Sequence, residues 1–503
     1  MDRHDLRSTA RRLLFIAIAI GVLAEIVIEG SAAGINVPLI TLAMLIAAWL
    51  VRRPGRAPDP LDAWLPLAAL VLAGFVAVRA DPFLAILDLA GAAAFTGASV
   101  VAFSGLAVTR RSLSVVLVIG AWVIESTLAG AARLLLTARP APRETPRSWP
   151  AWLGPVARGL VMAVPLVMIF AVLFASADPI FRRGLDGLLG FQIDLGTLPG
   201  RLLFVGGVAW LAAGLLAIAS RGLPKVESAS LGAAAPTSTM QFTRSLGVTE
   251  ALIVLGSIVA IVGLFVGLQL AYLFGGLDTL AAAGMTYSDY ARRGYFELVA
   301  AAALAGGVLV FLEYQVTRRP RTYVLAAVGL VGLTLVVLAS AVLRLKLYQE
   351  AYGWTELRLY VVVSIGAMAA TLATLAAFLA TDRTRWLGHV MGAIGLVSLI
   401  SLNLIAPAAF VAERNLQRII DPSLVPPDGE AELDADYLAV LSDDAVPVLA
   451  AALPHLSGAD AHRVKWLLQD RRRELAREPA YATPFSWNLG RERAREALAN
   501  VPE

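Results

Sequence analysis

The chain has 503 residues, 58% of them hydrophobic and only 16% charged, with a mean hydropathy of +0.72 and a net charge of +4. Soluble globules run about half apolar and a quarter charged, so the composition is that of an integral membrane protein. With no Cys, disulfides, thiolate metal sites and Cys nucleophiles are excluded together. Lysine occurs only as Lys225, Lys346 and Lys465, so arginine carries nearly all the positive charge, which reads as the coding bias of a GC-rich bacterium. No basic patch with interleaved aromatics suggests nucleic acid.

A spanning helix needs ~20 mostly apolar residues. By that ruler the spans fall near 13–29, 35–51, 63–79, 83–108, 113–136, 156–176, 201–220, 248–275, 296–316, 322–343, 357–380 and 386–410. The fold class is therefore all-α: a polytopic membrane bundle of about twelve spans, placed in a bacterial inner membrane. The expected divisions are N-terminal membrane helices over 1–136, a basic Pro-rich loop over 137–155 and a core membrane domain over 156–412. A small soluble helical domain over 413–503 follows, and it offers a surface for a protein partner. Within it, short helices are expected near 433–441, 443–453, 459–477 and 488–499, with Ser442 as an N-cap.

Basic residues near spans prefer the cytoplasm. Arg3, Arg7, Arg11 and Arg12, then Arg52, Arg53 and Arg56, then Arg110 and Arg111 share one side. The later clusters, Arg139/Arg143/Arg147, Arg221/Lys225/Arg244, Arg318/Arg319/Arg321 and Arg383/Arg385, also share one side. Twelve simple crossings would put the two groups on opposite sides. Either one early segment is re-entrant or the count of spans is off by one, and 83–108 and 113–136 are the suspects.

Three connections are richer in functional groups than a connector needs, and all fall on one side: Ala175–Phe181, Tyr287–Leu298 and Leu343–Tyr360. In the second, Thr286 and Asp289 have capping-box spacing, and Asp289, Arg293 and Glu297 stack at four-residue intervals. Arg292 or Arg293 would clamp an anion, with Tyr287 and Tyr290 lining the pocket; the alternative is an interfacial Tyr/Arg anchor. In the third, Gly353 ends one helix and Thr355 caps the next, with Glu350, Glu356 and Arg358 available to pair with the ladder. Among intramembrane groups, Glu125 with Arg133 eight residues on shares nearly one helix face, either as a structural pair or as part of a polar pathway. Asp88, Glu250, Gln269, Glu313 and Asn403 sit nearer span ends, where wetting is easy. Gly263-x-x-x-Gly267 and Gly388-x-x-x-Gly392 are close-packing signals.

Thr286-Tyr-Ser-Asp-Tyr-Ala-Arg-Arg-Gly-Tyr-Phe-Glu-Leu298 resembles the hallmark of a bacterial multi-pass family, domain of unknown function 4173, with its relative 4153. Tyr287, Tyr290, Arg292, Gly294, Phe296 and Leu298 match its pattern. Ser176–Phe181, Glu350–Arg358, Leu433–Leu438 and Leu441–Pro447 resemble further family blocks. The resemblance implies the architecture and assigns no chemistry.

Four histidines without metal-ligand spacing, and the absence of nucleotide-binding and hydrolase motifs, leave no expected metal site, no cofactor and no recognisable catalytic centre. The lipid bilayer is the expected partner. The leading expectation is a permease or other transport-related protein. The alternatives are an enzyme acting on a lipid or lipid-linked envelope substrate, and a scaffold or sensor that works through its C-terminal domain.

Overall fold

A computed structural model describes residues 3–52, 57–111, 113–138, 198–221, 247–274, 295–316, 319–426 and 432–502. Among these residues the chain is helical and has no strand. Seven helices are long and apolar enough to cross a membrane. Each expected span coincides with a helix except 156–176, which lies outside the described residues.

The N-terminal part comprises α1 (Arg3–Ile28), α2 (Asn36–Val51), α3 (Trp64–Val76), α4 (Pro82–Phe103), α5 (Leu113–Ala138) and α6 (Leu198–Arg221). Leu13, Ala17, Ala48, Ala69, Val100, Leu134 and Leu216 fill their common core. A second core, with Leu255, Leu309, Leu330, Leu338 and Leu375, joins α7 (Val248–Phe274), α8 (Tyr295–Gln315), α9 (Arg321–Tyr352) and α10 (Glu356–Thr381). Helix α11 (Leu387–Ile405) bridges the two parts by packing on α10, α3, α4 and α5.

Small residues set the close approaches, though not at the expected GxxxG pairs. A Cβ on Gly214 of α6 would collide with the Thr127 backbone of α5, and one on Gly130 would come within 2.9 Å of Gly214 Cα. Gly263 and Gly392 meet only ordinary side-chain contacts.

The expected last span, 386–410, stops at Ile405. Ala406 is left-handed (φ 55°), and Pro407, which has no N–H to continue the ladder, opens α12 (Pro407–Ile420). From there the chain forms a unit with its own core of Ala412, Leu438, Leu449, Val464, Leu468 and Leu498. It contains α13 (Ala435–Val440), α14 (Val446–Ala452), α15 (Gly458–Arg477) and α16 (Leu489–Ala499). Ser442 makes no side-chain cap; a 3-10 turn over Asp443–Ala445 leads into α14 instead.

This unit sits on one end of the bundle, the junction end, and satisfies helix termini there. Ala32 N donates to Ala480 O and Ile35 N to Trp487 O, which fixes the α1–α2 loop. Leu489 N and Gly490 N donate to the carbonyls of Ala77 and Val78 just past α3, and Asn488 Nδ2 donates to Val76 O and Arg79 O. The end carbonyls of α9 receive Arg418, whose guanidinium donates to Gln349 O, Glu350 O and Ala351 O. Orphan carbonyls at helix ends are thus met by groups from more than 400 residues away in the case of Asn488.

At the opposite, far end, the Asp62 carboxylate accepts from Val108 N at 3.0 Å and Thr109 N at 2.8 Å and holds the turn before α5. The last residue of α5 returns toward the same end, because Arg11 Nε donates to Ala138 O in the N-terminal half of α1.

Candidate functional site

The loop between α9 and α10 is built as its residue types require. Gly353 takes φ 77°, the left-handed conformation that glycine adopts without strain, and ends α9. Thr355 Oγ1 accepts from Arg358 N at 3.3 Å and caps α10. Asn415 of α12 holds the tip from both sides: Oδ1 accepts from Trp354 N at 2.8 Å, and Nδ2 donates to Trp354 O at 2.9 Å. A Cβ on Gly353 would come within 2.8 Å of Asn415 Oδ1. Arg358 donates to Gly353 O at 2.5 Å and stacks over the Tyr348 ring at 4.1 Å.

A carboxyl cluster lies where this loop, the α3–α4 loop and the C-terminal unit meet. Asp81 caps α4 by accepting from Leu84 N at 2.9 Å, and its other oxygen accepts from Tyr360 Oη at 3.0 Å. Glu356 lies within hydrogen-bond reach of Asp81, and its Oε1 is buried without a partner. Its backbone N–H donates to Tyr437 Oη at 2.8 Å. From the C-terminal unit comes Asp444, which accepts from Ala80 N at 2.9 Å and faces Arg79 at 4.0 Å. Burial pushes the Asp444 carboxyl up to about 6, against the opposing pull of the Ala80 N–H and Arg79. Burial likewise raises the Tyr437 hydroxyl. Gly490 permits this approach, since a Cβ there would strike Asp444 Oδ1 and sit 3.1 Å from Ala80 N.

Two turns further along α4, Asp88 is wholly buried inside a membrane-length helix. Asn403 Nδ2 donates to Asp88 Oδ1 at 2.9 Å, while Asp88 Oδ2 and Asn403 Oδ1 have no partner. The neighbouring residues Leu87, Leu399 and Leu402, with Phe95, Val363 and Leu396, line an apolar cavity of about 370 Å³ between α4, α10 and α11.

The sequence-derived candidates are thus redistributed. Tyr287, Tyr290, Arg292 and Arg293 lie outside the described residues; Glu297 falls in the first turn of α8, its side chain outside the description. Glu356 and Arg358 belong to the junction. Glu350 does not: its carboxylate faces Lys346 at 3.7 Å on the α9 surface, and only its backbone carbonyl serves the junction. Glu125 and Arg133 do pair, at 2.6 Å, with side chains 52% and 56% exposed. Asp88 and Asn403 are far drier than their nearness to span ends suggests.

Asp81, Asp444, Asn415 and Arg418 were not singled out as site residues. The signal for Asp444 was present, because it lies in the family-like block Leu441–Pro447. That block, Leu433–Leu438 with Tyr437, and Glu350–Arg358 with Glu356 converge at the junction. No group of His, Asp and Glu among the described residues has a metal-holding arrangement.

The chain matches the domain of unknown function called DUF4153 over residues 67–452, which includes the bundle from α3 onward and all three converging blocks. It belongs to the DUF4153 family. The family first suggested by the Thr286–Leu298 block was 4173; its relative 4153 is the one that matches. No curated protein and no solved structure matches the chain.

Proposed function

We propose that this DUF4153 protein is a permease-type membrane protein of about twelve spans in a bacterial inner membrane, in which Asp88 carries a proton-coupled step. The observation behind the reading is the wholly buried Asp88, which has one oxygen on Asn403 and the other unpartnered. Ionisable side chains inside membrane helices are costly and mark proton relays and ion pathways. Asp81, Glu356 and Asp444 extend the run of carboxyls from Asp88 to the bundle surface, a route for protons between the junction and the bilayer interior. Glu125 plays no part in this route.

The test is proton movement into pyranine-loaded proteoliposomes under a potassium diffusion potential. Wild-type protein is expected to acidify the lumen and Asp88→Asn to lose most of that flux, with Glu125→Gln unchanged. Wild-type vesicles that behave like protein-free vesicles, or an Asp88→Asn variant as active as wild type, would sink the reading.

The apolar cavity beside Asp88 supports a second reading, an enzyme that draws an acyl chain into the space between α4, α10 and α11. Lipid retained by detergent-purified wild type and lost in a Gly395→Leu variant would favour it.

A further inference from the structure

We infer that the helices after residue 406 form an extracytoplasmic latch on the junction end of the bundle, and that the latch holds more tightly in acid than at neutral pH. The inference stands whether or not protons move through Asp88.

The side follows from charge. The described basic residues of the bundle concentrate at the far end. Arg7, Arg11 and Arg12 lie in the first half of α1, Arg52 follows α2, and Arg110 and Arg111 lie between α4 and α5. Arg319 and Arg321 lie at the start of α9, and Arg383 follows α10. At the junction end the bundle offers fewer: Arg79, Arg201, Arg344, Lys346 and Arg358. Of these, Arg79, Arg201 and Lys346 face the carboxylates of Asp444, Glu29 and Glu350 at 4.0, 2.8 and 3.7 Å. The conflict between early and late basic clusters disappears once α5 makes no net crossing. Its start is tied to the far end by the Asp62-held turn and its end by Arg11. Both groups then lie on one side, the cytoplasmic side by the excess of arginine, and the C-terminal unit lies on the other.

The acid dependence follows from what the junction buries. Asp444 is faced by Arg79 and Asp81 from the α3–α4 loop, Glu356 from α10 and Arg491 from α16. It is also faced by its neighbour Asp443, which Arg471 of α15 holds at 2.6 Å. Arg491 is committed to backbone carbonyls, donating to Ala33 O at 2.7 Å and Ser486 O at 2.5 Å. Three carboxyls therefore share one region with one guanidinium at 4.0 Å, and docking brings Asp444 within electrostatic range of the other two. A proton on Asp444 removes the desolvation cost of its charge, the larger effect, and part of the repulsion from Asp81 and Asp443. Because docking raises the Asp444 value from an ordinary ~3.9 to about 6, its contribution to docking is complete below the undocked value. It is lost as pH rises through about 6.

Two measurements test the two halves. The chain lacks Cys, so Ala459→Cys and Arg383→Cys each introduce a single exposed thiol. In intact cells an impermeant maleimide is expected to label Ala459→Cys and to reach Arg383→Cys only after permeabilisation; the reverse pattern overturns the orientation. For the latch, hydrogen exchange of the Leu489 and Gly490 amides is followed in purified protein and corrected for intrinsic rates. Protection is expected to be about tenfold greater at pH 5 than at pH 7.5. Asp444→Asn should retain strong protection at both. Equal protection of wild type at the two pH values, or an unchanged pH dependence in Asp444→Asn, overturns the acid dependence. A Ser31→Cys/Thr483→Cys pair, at positions whose hydroxyls lie 2.7 Å apart, should form a disulfide and protect both amides regardless of pH. Failure to cross-link overturns the docked arrangement itself.

Discussion

Two polar pairs within the apolar helices have opposite settings. Glu125 and Arg133 lie eight residues apart on one helix, bonded at 2.6 Å and half-exposed. Asp88 and Asn403 are 315 residues apart, on α4 and α11, and almost wholly removed from any surrounding medium. The first pair is self-sufficient: each side chain finds its partner on its own helix. The second is held only by the tertiary fold, and it leaves one oxygen of each side chain unsatisfied. A neutral amide beside a buried carboxyl is a weak compensation by comparison with a guanidinium, so the fold tolerates a cost at Asp88 that it does not incur at Glu125.

The largest effect that separates them should come from Asn403→Ala. It removes the one side-chain donor that Asp88 has among the described residues and is expected to cost about 3 kcal/mol, the penalty for orphaning a buried carboxyl. Thermal melting in detergent reads the loss, and Asp88→Asn in the same background should restore part of it. The double neutralisation Glu125→Gln/Arg133→Gln is expected to stay within about 1 kcal/mol of wild type in the same assay, as exposed pairs do. Equal losses in the two cases would erase the distinction.

At the junction, Arg418→Ala uncaps α9 by removing donors to three of its last carbonyls, with an expected loss of ~2 kcal/mol and faster amide exchange in the 353–355 loop. Tyr437→Phe has the smaller effect of the two junction changes: it deletes a single hydrogen bond from Glu356 N and should cost about 1 kcal/mol. A Tyr437→Phe loss as large as that of Arg418→Ala would mean that the hydroxyl serves the neighbouring carboxyls as well.

The apolar helices were legible because each is a local property, a run of apolar residues, and seven of those described are long enough to cross a membrane. The 353–355 turn was legible for a similar reason, since Gly at the end and Thr at the start of a helix have local signatures. The topology inferred for α5 left a trace as well, in the disagreement between basic clusters. What could not be read was pairing. Asp88 looked wet because hydropathy counts distance along the chain, whereas α11 covers it from 315 residues away. Asn415 and Arg418 look like the solvated face of a short amphipathic helix. Only the arrival of the α9–α10 loop makes them a clamp. Glu350 misled in the other direction: its side chain attracted attention, and its main-chain carbonyl turned out to be the useful group.

The seating of residues 480–491 against the α1–α2 and α3–α4 loops bears on how the protein is made. These loops leave the ribosome some 400 residues before the groups that bind their backbone. Until residues 480–491 emerge, the carbonyls of Val76, Ala77 and Val78 must rely on water or headgroups. The early helices therefore enter the bilayer with part of their capping still to come.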